Sequence, residues 1–273
     1  GTLIGAGALD GAYIYGGGAF IDSSNLSITV GQNLLAPPGN GVTSIPLSGN
    51  GAGYIGAPVV YISGGNGTGA TAIAQMDLAA GTVTNILITN PGYSYDSAPT
   101  VTLIGGVYSS AATIGVVTIG VNSSGGLTKI GTGALILSGS STYTGSTVVN
   151  AGTLQFTGSG SVYNNGTSAG AISVNNGGVL HFNRSDTFGS HTSVPAASIT
   201  INQGGLVTNS AYFTTLNNLV LNGGELRANG GANATWPAYQ LKGTVTVGGS
   251  VASLISANTL VNGNNQVQIG NNG

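Results

Sequence analysis

The chain has 273 residues, of which 50 are glycine and only 4% are charged, and its formal net charge is −2. It contains no cysteine, which excludes disulfides and thiolate metal sites. The cations are few and scattered: Lys129, Arg184, Arg227 and Lys242. They cannot neutralise a row of phosphates, so nucleic acid is excluded as a partner. Because no apolar run approaches the roughly 18 residues of a membrane span, membrane insertion by this segment is excluded too.

Residues 1–120 contain two related units of about 40 residues, which predicts internal duplication. The segment Gly53–Pro58 is echoed by Gly92–Pro99, with two residues inserted in the second copy. Other matches hold at a constant offset of 41 residues, as for Val60 and Val101. Val60 and Ile62 alternate with Tyr61 and Ser63, which is the period of a strand with one buried face. Glycine-rich segments between such strands are typical of turns.

The inserted pair of residues in the second copy predicts a turn that bulges outward. Tyr93, Tyr95 and Asp96 lie there and are weak candidates for contacts with a surface glycan, since two aromatic rings and a carboxylate can bind a sugar. The alternative is that these tyrosines cover the end of the core, and that alternative is favoured.

Residues 121–273 show a shorter repeat, in which an alternating strand leads into a glycine- or asparagine-rich turn. Successive turns lie 19 to 27 residues apart, from Gly152 to Gly248. No segment has the period or caps of a helix. This pattern predicts an all-β parallel β-helix with stacked corner asparagines. At about 22 residues per coil it gives roughly 12 coils, with residues 1–120 and 121–273 forming one continuous solenoid.

Residues 125–156 carry a motif of an opening strand, a Tyr-Thr-Gly turn and a Gly-Thr-Leu close. Its matching residues are Leu127, Lys129, Gly131, Gly133, Leu135, Leu137, Tyr143, Thr144, Gly145, Gly152, Thr153 and Leu154. The segment closely resembles the autotransporter-associated β-strand repeat, also called the passenger-associated transport repeat. That resemblance implies a right-handed β-helix, export to the bacterial cell surface and a passenger-type role. It implies no catalytic residue.

Enzymatic β-helices need carboxylates that converge on one face, and the six acids here are scattered. The densest group is His181, Arg184, Asp186 and His191, for which a solvated loop with an ion pair is favoured over an acid–base site. Gly69 stands where a calcium-binding nonapeptide needs aspartate, so a calcium site is not predicted. The sequence therefore predicts no enzyme, no catalytic residue, no cofactor and no metal.

The leading functional hypothesis is a structural subunit of an extracellular filament that joins copies of itself end to end at the cell surface. Low charge gives little repulsion between copies. The second hypothesis is a monomeric passenger or stalk of a surface adhesin. The third is a β-helix that binds or cleaves glycans, with surface glycans as its partners.

Overall fold

The structure is a computed structural model that describes residues 1–162, 170–188, 198–210, 212–228, 238–241 and 243–256, with two further strands of backbone at Thr259–Val261 and Val267–Ile269. The described residues form strands, turns and irregular segments and no helix, which confirms the all-β prediction. They group into two compact units. The first combines residues 1–36 and 124–273, and the second is residues 37–123.

The strands of the chain up to the second unit are short. They are β1 (Thr2–Ile4), β2 (Ala12–Tyr13), β3 (Ala19–Asp22), β4 (Ser27–Val30) and β5 (Leu34–Leu35). The second unit contains β6 (Asn40–Ser44), β7 (Leu47–Gly49), β8 (Val59–Ser63), β9 (Thr68–Asp77), β10 (Thr82–Tyr93), β11 (Thr100–Ile104), β12 (Thr113–Ile114) and β13 (Thr118–Val121).

The first unit resumes with many strands of three to six residues. They are β14 (Leu127–Ile130), β15 (Ala134–Leu137), β16 (Thr147–Val149), β17 (Gly152–Thr157), β18 (Ile172–Val174), β19 (Gly178–Asn183), β20 (Ile199–Asn202), β21 (Leu206–Asn209), β22 (Thr214–Leu216), β23 (Leu219–Asn222), β24 (Glu225–Arg227), β25 (Tyr239–Leu241), β26 (Val245–Val247), β27 (Leu254–Ser256), β28 (Thr259–Val261) and β29 (Val267–Ile269).

The first unit is a parallel β-solenoid, as the sequence predicted. One sheet of eight strands runs in the order β1-β4-β15-β17-β19-β21-β24-β27, and a second runs β3-β14-β16-β18-β20-β23-β26-β29. A third side is formed by β22-β25-β28 in the later coils. Each coil therefore contributes one strand to each large sheet.

Alternation along each strand places one set of side chains inside the solenoid, where they stack in columns. The first large sheet contributes one column, and its members are Ile28, Leu135, Leu154, Leu180, Val207, Leu226 and Ile255. A neighbouring column brings Phe156 and Phe182 into a stacked contact with ring centroids 6.4 Å apart. These columns form the core, because their members between Leu135 and Leu226 are fully buried.

The turn from the second sheet to the first repeats in coil after coil. In each of six successive coils a glycine adopts a φ between 64° and 85°, a conformation that a side chain disfavours. These glycines are Gly131, Gly152, Gly177, Gly204, Gly223 and Gly249. The predicted asparagine ladder lies beside them. Asn175 donates to Asn150 at 2.7 Å, Asn202 donates to Asn175 at 2.7 Å, and Asn222 donates to Asn202 at 3.3 Å.

The described residues form about eight coils, fewer than predicted, because 37–123 is not part of the solenoid. The expected division into 1–120 and 121–273, with one continuous solenoid, therefore differs from the structure. All strand pairs within the second unit are antiparallel: β6 with β13, β7 with β12, β8 with β11, and β9 with β10. Long alternating strands that pair antiparallel close a separate small core around Val42, Val83 and Tyr54.

The second unit is an intertwined duplication with an offset of 41 residues. The centre of the β8–β11 pairing joins Tyr61 to Thr102, two positions that are themselves 41 residues apart. Backbone bonds repeat in the same way, because Tyr54 N donates to Gly81 O and Tyr95 N donates to Asn40 O. The alignment with a two-residue insertion was therefore wrong. Tyr95, and not Tyr93, is the counterpart of Tyr54, and no extra residues bulge outward.

Candidate functional site

Residues 127–156 contain the first two coils after the second unit, and the first of these, with β14 and β15, pairs directly with the coil before that unit. β14 lies in register against β3, from Leu127 on Ala19 to Ile130 on Asp22. β15 lies in register against β4 in the same way. About one hundred residues separate the partners in sequence, yet neither sheet is interrupted. This coil is therefore where the solenoid is resumed.

Lys129 lies inside the solenoid, with none of its surface exposed. It occupies a column position between Ile21 and Val149, where the other coils have aliphatic residues. Its Nζ donates to the carbonyl oxygens of Ile130 at 2.8 Å, Gly131 at 2.7 Å and Ala151 at 3.0 Å. All three N–H groups of the ammonium thus donate to backbone carbonyls in the turns of two successive coils, its own and the next.

Burial lowers the pKa of Lys129, and the nearby carboxylate of Asp22 partly opposes this shift. An amine with a lowered pKa is a recognised candidate for acid–base chemistry. Here, however, each N–H of the ammonium group donates to a backbone carbonyl. The arrangement is that of a cross-link between two coils.

Tyr143 and Gly145 belong to the Tyr-Thr-Gly turn of the same coil. The Tyr143 ring is buried, and its hydroxyl lies 2.7 Å from Thr147 Oγ1 at the start of the following strand. Gly145 lies against the backbone of Gly125 and Gly126 in the preceding coil, so closely that a Cβ atom would overlap it. Gly170 lies against Gly145 in the same way. The corner therefore depends on backbones that touch from coil to coil.

Buried tyrosines predict a loss of stability in strong alkali. Burial raises the pKa of both Tyr143 and Tyr239 well above 10. Above about pH 10 the unfolded chain ionises its tyrosines while these two stay protonated in the fold, so stability falls as pH rises. The lowered pKa of Lys129 makes stability rise with pH, but only below the pKa of an unfolded lysine, about 10.4. It therefore does not mask a fall in stability above that pH.

The measurement is the thermal unfolding midpoint at a series of pH values from about 8 to about 11.5. A plateau followed by a steep fall is expected. Tyr143→Phe, which lacks the ionising group, is expected to fall less steeply from a lower plateau. Equal slopes for the variant and the parent chain would show that Tyr143 does not contribute.

A groove of about 460 Å³ runs along the glycine corner of later coils. Its floor consists of pairs of glycines from three successive coils: Gly177 and Gly178, Gly204 and Gly205, Gly223 and Gly224. The first of each pair has positive φ, and the second lies against a carbonyl of a strand in the preceding coil. The groove therefore arises because glycines, which have no side chain, occupy the same position in successive turns. Glu225 and Arg227 form an ion pair at its edge, 2.6 Å apart.

His181 and Arg184 contact different partners, while the carboxylate of Asp186 is near enough to Arg184 to oppose the lowering of the pKa of that guanidinium by burial. His181 Nε2 lies 2.7 Å from Ser210 Oγ, and burial lowers the pKa of this imidazole. The Arg184 guanidinium donates to the carbonyls of Ser159 and Gly160. His191 lies outside the described residues. Each described cation or imidazole of this group thus contacts a different neighbouring coil.

The three glycan candidates do not share one surface. Tyr95 is only 5% exposed and packs in the core of the second unit, which agrees with the favoured alternative for that residue. Asp96 is exposed and accepts hydrogen bonds from Asn66 at 2.9 Å and Ser97 at 3.2 Å. Tyr93 is half-buried. Glycan contact through Tyr93 and Asp96 stays a prediction.

Sequence reasoning missed a set of exposed apolar side chains in the second unit, which we call the apolar cap. Its members are Ile55, Val59, Tyr61, Ile104, Val107 and Tyr108. The signal was present, because each of these six apolar residues has a polar or small residue at the equivalent position of the opposite copy.

Metal ligands and membrane-spanning helices are two further features that the described ranges lack. They hold no group of three or more His, Cys, Asp or Glu side chains placed to bind a metal ion. Nor do these ranges include a helix with the length and apolarity that crossing a bilayer by a helix requires.

Residues 127–156 match the family model described as Passenger-associated-transport-repeat. This confirms the resemblance that the motif residues indicated, over 30 of the 273 residues. No curated protein and no solved structure matches the chain.

Proposed function

We propose that this chain, a β-solenoid that carries a passenger-associated transport repeat, is a structural and non-catalytic segment of a bacterial passenger-type protein at the cell surface or outside the cell. The observation that carries the proposal is the direct pairing of β14 with β3 and of β15 with β4. A solenoid that stays in register across an inserted unit is suited to carry that unit. The solenoid is the scaffold, and residues 37–123 are what it presents.

The non-catalytic part of the proposal rests on how the repeat uses its polar groups. Lys129 donates to three backbone carbonyls, and the Tyr143 hydroxyl is engaged with Thr147. The polar groups of Lys129 and Tyr143 thus stabilise the coil and are not aimed at a substrate.

The finer form of the proposal is that copies join end to end into a filament. An outermost coil offers backbone groups and column side chains with which another coil can pair. A net charge of −2 over 273 residues opposes this contact very little.

A monomeric stalk is the alternative, and the same in-register scaffold favours it. In that case the solenoid only positions the inserted unit and whatever other parts the parent protein has.

Negative-stain electron microscopy of the purified, concentrated chain tests the filament. Regular fibres that lengthen with concentration are the expected result. Short separate rods at every concentration would contradict self-assembly and assign the chain to the stalk alternative.

A further inference from the structure

The apolar cap is a group of large apolar side chains that the second unit leaves exposed. Its six residues are between 49% and 77% exposed. They offer on the order of 600 Å² of surface, at the upper limit of the apolar patches that monomers expose. Patches of this size commonly mark interaction sites.

The six residues form one surface. Val59 and Ile104 are directly opposite each other across β8 and β11, and Tyr61 follows Val59 on the same face. The Ile55 N–H donates to the carbonyls of Gly106 and Val107 at 3.2 Å, which joins the two turns at the end of this ribbon. The Tyr108 ring packs on the Tyr54 ring with centroids 5.1 Å apart.

The fold does not require these residues to be apolar. For each cap residue, the equivalent position of the opposite copy, 41 residues away, holds a polar or small residue. These residues are Asp96 for Ile55, Thr100 for Val59, Thr102 for Tyr61, Ser63 for Ile104, Asn66 for Val107 and Gly67 for Tyr108. The same backbone is thus built with both kinds of side chain. The apolar character of the cap, which takes three residues from each copy, therefore has a cause other than folding.

Val107 points to the same conclusion, because its backbone is strained. It has a φ of 44°, and β-branched residues rarely adopt positive φ. Its counterpart Asn66 has a φ of 57°, in a conformation that asparagine tolerates. An observed backbone outlier of this kind is a reason to look for a function. Here valine costs stability and adds exposed apolar surface.

We propose that the apolar cap docks against the same cap of a second copy of this chain. Residues 37–123 contain no lysine or arginine and only two acids, Asp77 and Asp96, neither of them in the cap. A charged partner would lose hydration there and gain no ion pair. The surface that matches an uncharged apolar patch is another such patch, and this chain supplies it.

The contact is a two-fold one, in which the same residues meet from both copies. Two caps together approach the lower limit of about 1,200 Å² for a stable protein interface. This inference rests on the proposed self-association but places the contact on the inserted unit. Combined with coils joined end to end, it would link one filament to another.

The test exchanges cap residues for those of the other repeat. The cap variant carries Val59→Thr, Tyr61→Thr, Ile104→Ser and Val107→Asn. Analytical ultracentrifugation over a concentration series measures the dimer dissociation constant of the full chain. We expect it to rise at least about tenfold, because four apolar side chains leave the interface. Thermal unfolding checks the fold. Because Val107→Asn relieves strain, the cap variant should have a midpoint no lower than that of a chain with only the other three substitutions.

The matched control is Val116→Gln. Val116 is 81% exposed, lies outside the cap, and has Gln75 as its counterpart. It is expected to leave the dissociation constant unchanged. A weakened cap variant beside an unchanged control supports the proposal.

The contrary outcomes distinguish the cap contact from the filament. If the parent chain associates and the cap variant associates equally well, the cap proposal is overturned and the filament proposal stands. If the parent chain stays monomeric throughout, both are overturned. If a monomeric parent binds cellohexaose and the cap variant does not, the surface is a glycan site and the cap proposal fails.

Discussion

Replacing Gly145 with alanine is expected to lower the free energy of unfolding of the solenoid by at least about 3 kcal/mol. The new Cβ would overlap the backbone of Gly125 and Gly126 in the preceding coil. Backbone atoms cannot move aside by changing rotamer, so two coils must separate and their ladder bonds must lengthen. Urea unfolding followed by far-ultraviolet circular dichroism measures the loss.

Gly17→Ala is the matched control for this substitution. Gly17 lies in the same unit, a Cβ added there would meet no atom within 4 Å, and its φ is not positive. We expect its replacement to change the free energy of unfolding by less than about 0.5 kcal/mol. If Gly145→Ala were as harmless as Gly17→Ala, the close approach of coils at this corner would be refuted.

Lys129→Met is the second substitution with a large expected effect. Methionine fits an interior column but donates no hydrogen bond, which leaves the carbonyls of Ile130, Gly131 and Ala151 without the ammonium group. Hydrogen bonds to a charged group contribute about 1.5–3 kcal/mol each, and buried acceptors left unpaired add a desolvation cost. Water can reach part of the turn, so a loss of about 3 kcal/mol is expected rather than the full sum.

Thr128→Met controls for the introduction of methionine into the same strand. Thr128 directly precedes Lys129 in sequence and points outward, so its replacement should change the free energy of unfolding by less than about 0.5 kcal/mol. Urea unfolding of both variants is the measurement. A Lys129→Met chain as stable as the parent would mean that the interior lysine is not a cross-link, and its role in the motif would have to lie elsewhere.

The solenoid could be predicted because its constraints are local and repeated. Ile172 and Val174, or Leu219 and Leu221, alternate in short strands that end at a glycine turn, and each of these side chains lies inward as expected. The asparagine ladder follows from the same register. Each coil makes the same turn at this corner, so the sequence places glycine and asparagine there repeatedly.

The insertion could not be placed from these patterns, because sequence neighbours need not be spatial neighbours. After Leu35 the strands of the solenoid resume at Leu127. The local sequence of neither strand indicates that β14 pairs with β3. The one available signal is the change of period, from 41 residues within the second unit to about two dozen in the coils that follow. Such a change is equally compatible with coils of varying length in one solenoid.

The candidate sites were harder to predict for a different reason. Tyr95 is a surface candidate only if a two-residue insertion is placed beside it, whereas a constant offset makes it the buried counterpart of Tyr54. The apolar cap is visible only when Val107 and Asn66 are compared as equivalent positions. Exposure of an apolar residue depends on tertiary structure, and the alternation that predicts a strand does not say which face is covered.

The most direct test of an independent scaffold is to replace residues 37–123 with a short glycine–serine linker and to follow unfolding of the remaining chain in urea by circular dichroism. If the solenoid continues in register across the insertion, the shortened chain keeps a parallel β spectrum and unfolds cooperatively, with a midpoint close to that of the first unit in the full chain. A shortened chain without a cooperative transition would contradict this, because the coil of β14 and β15 would then depend on the inserted unit and could not be the point at which an independent scaffold resumes.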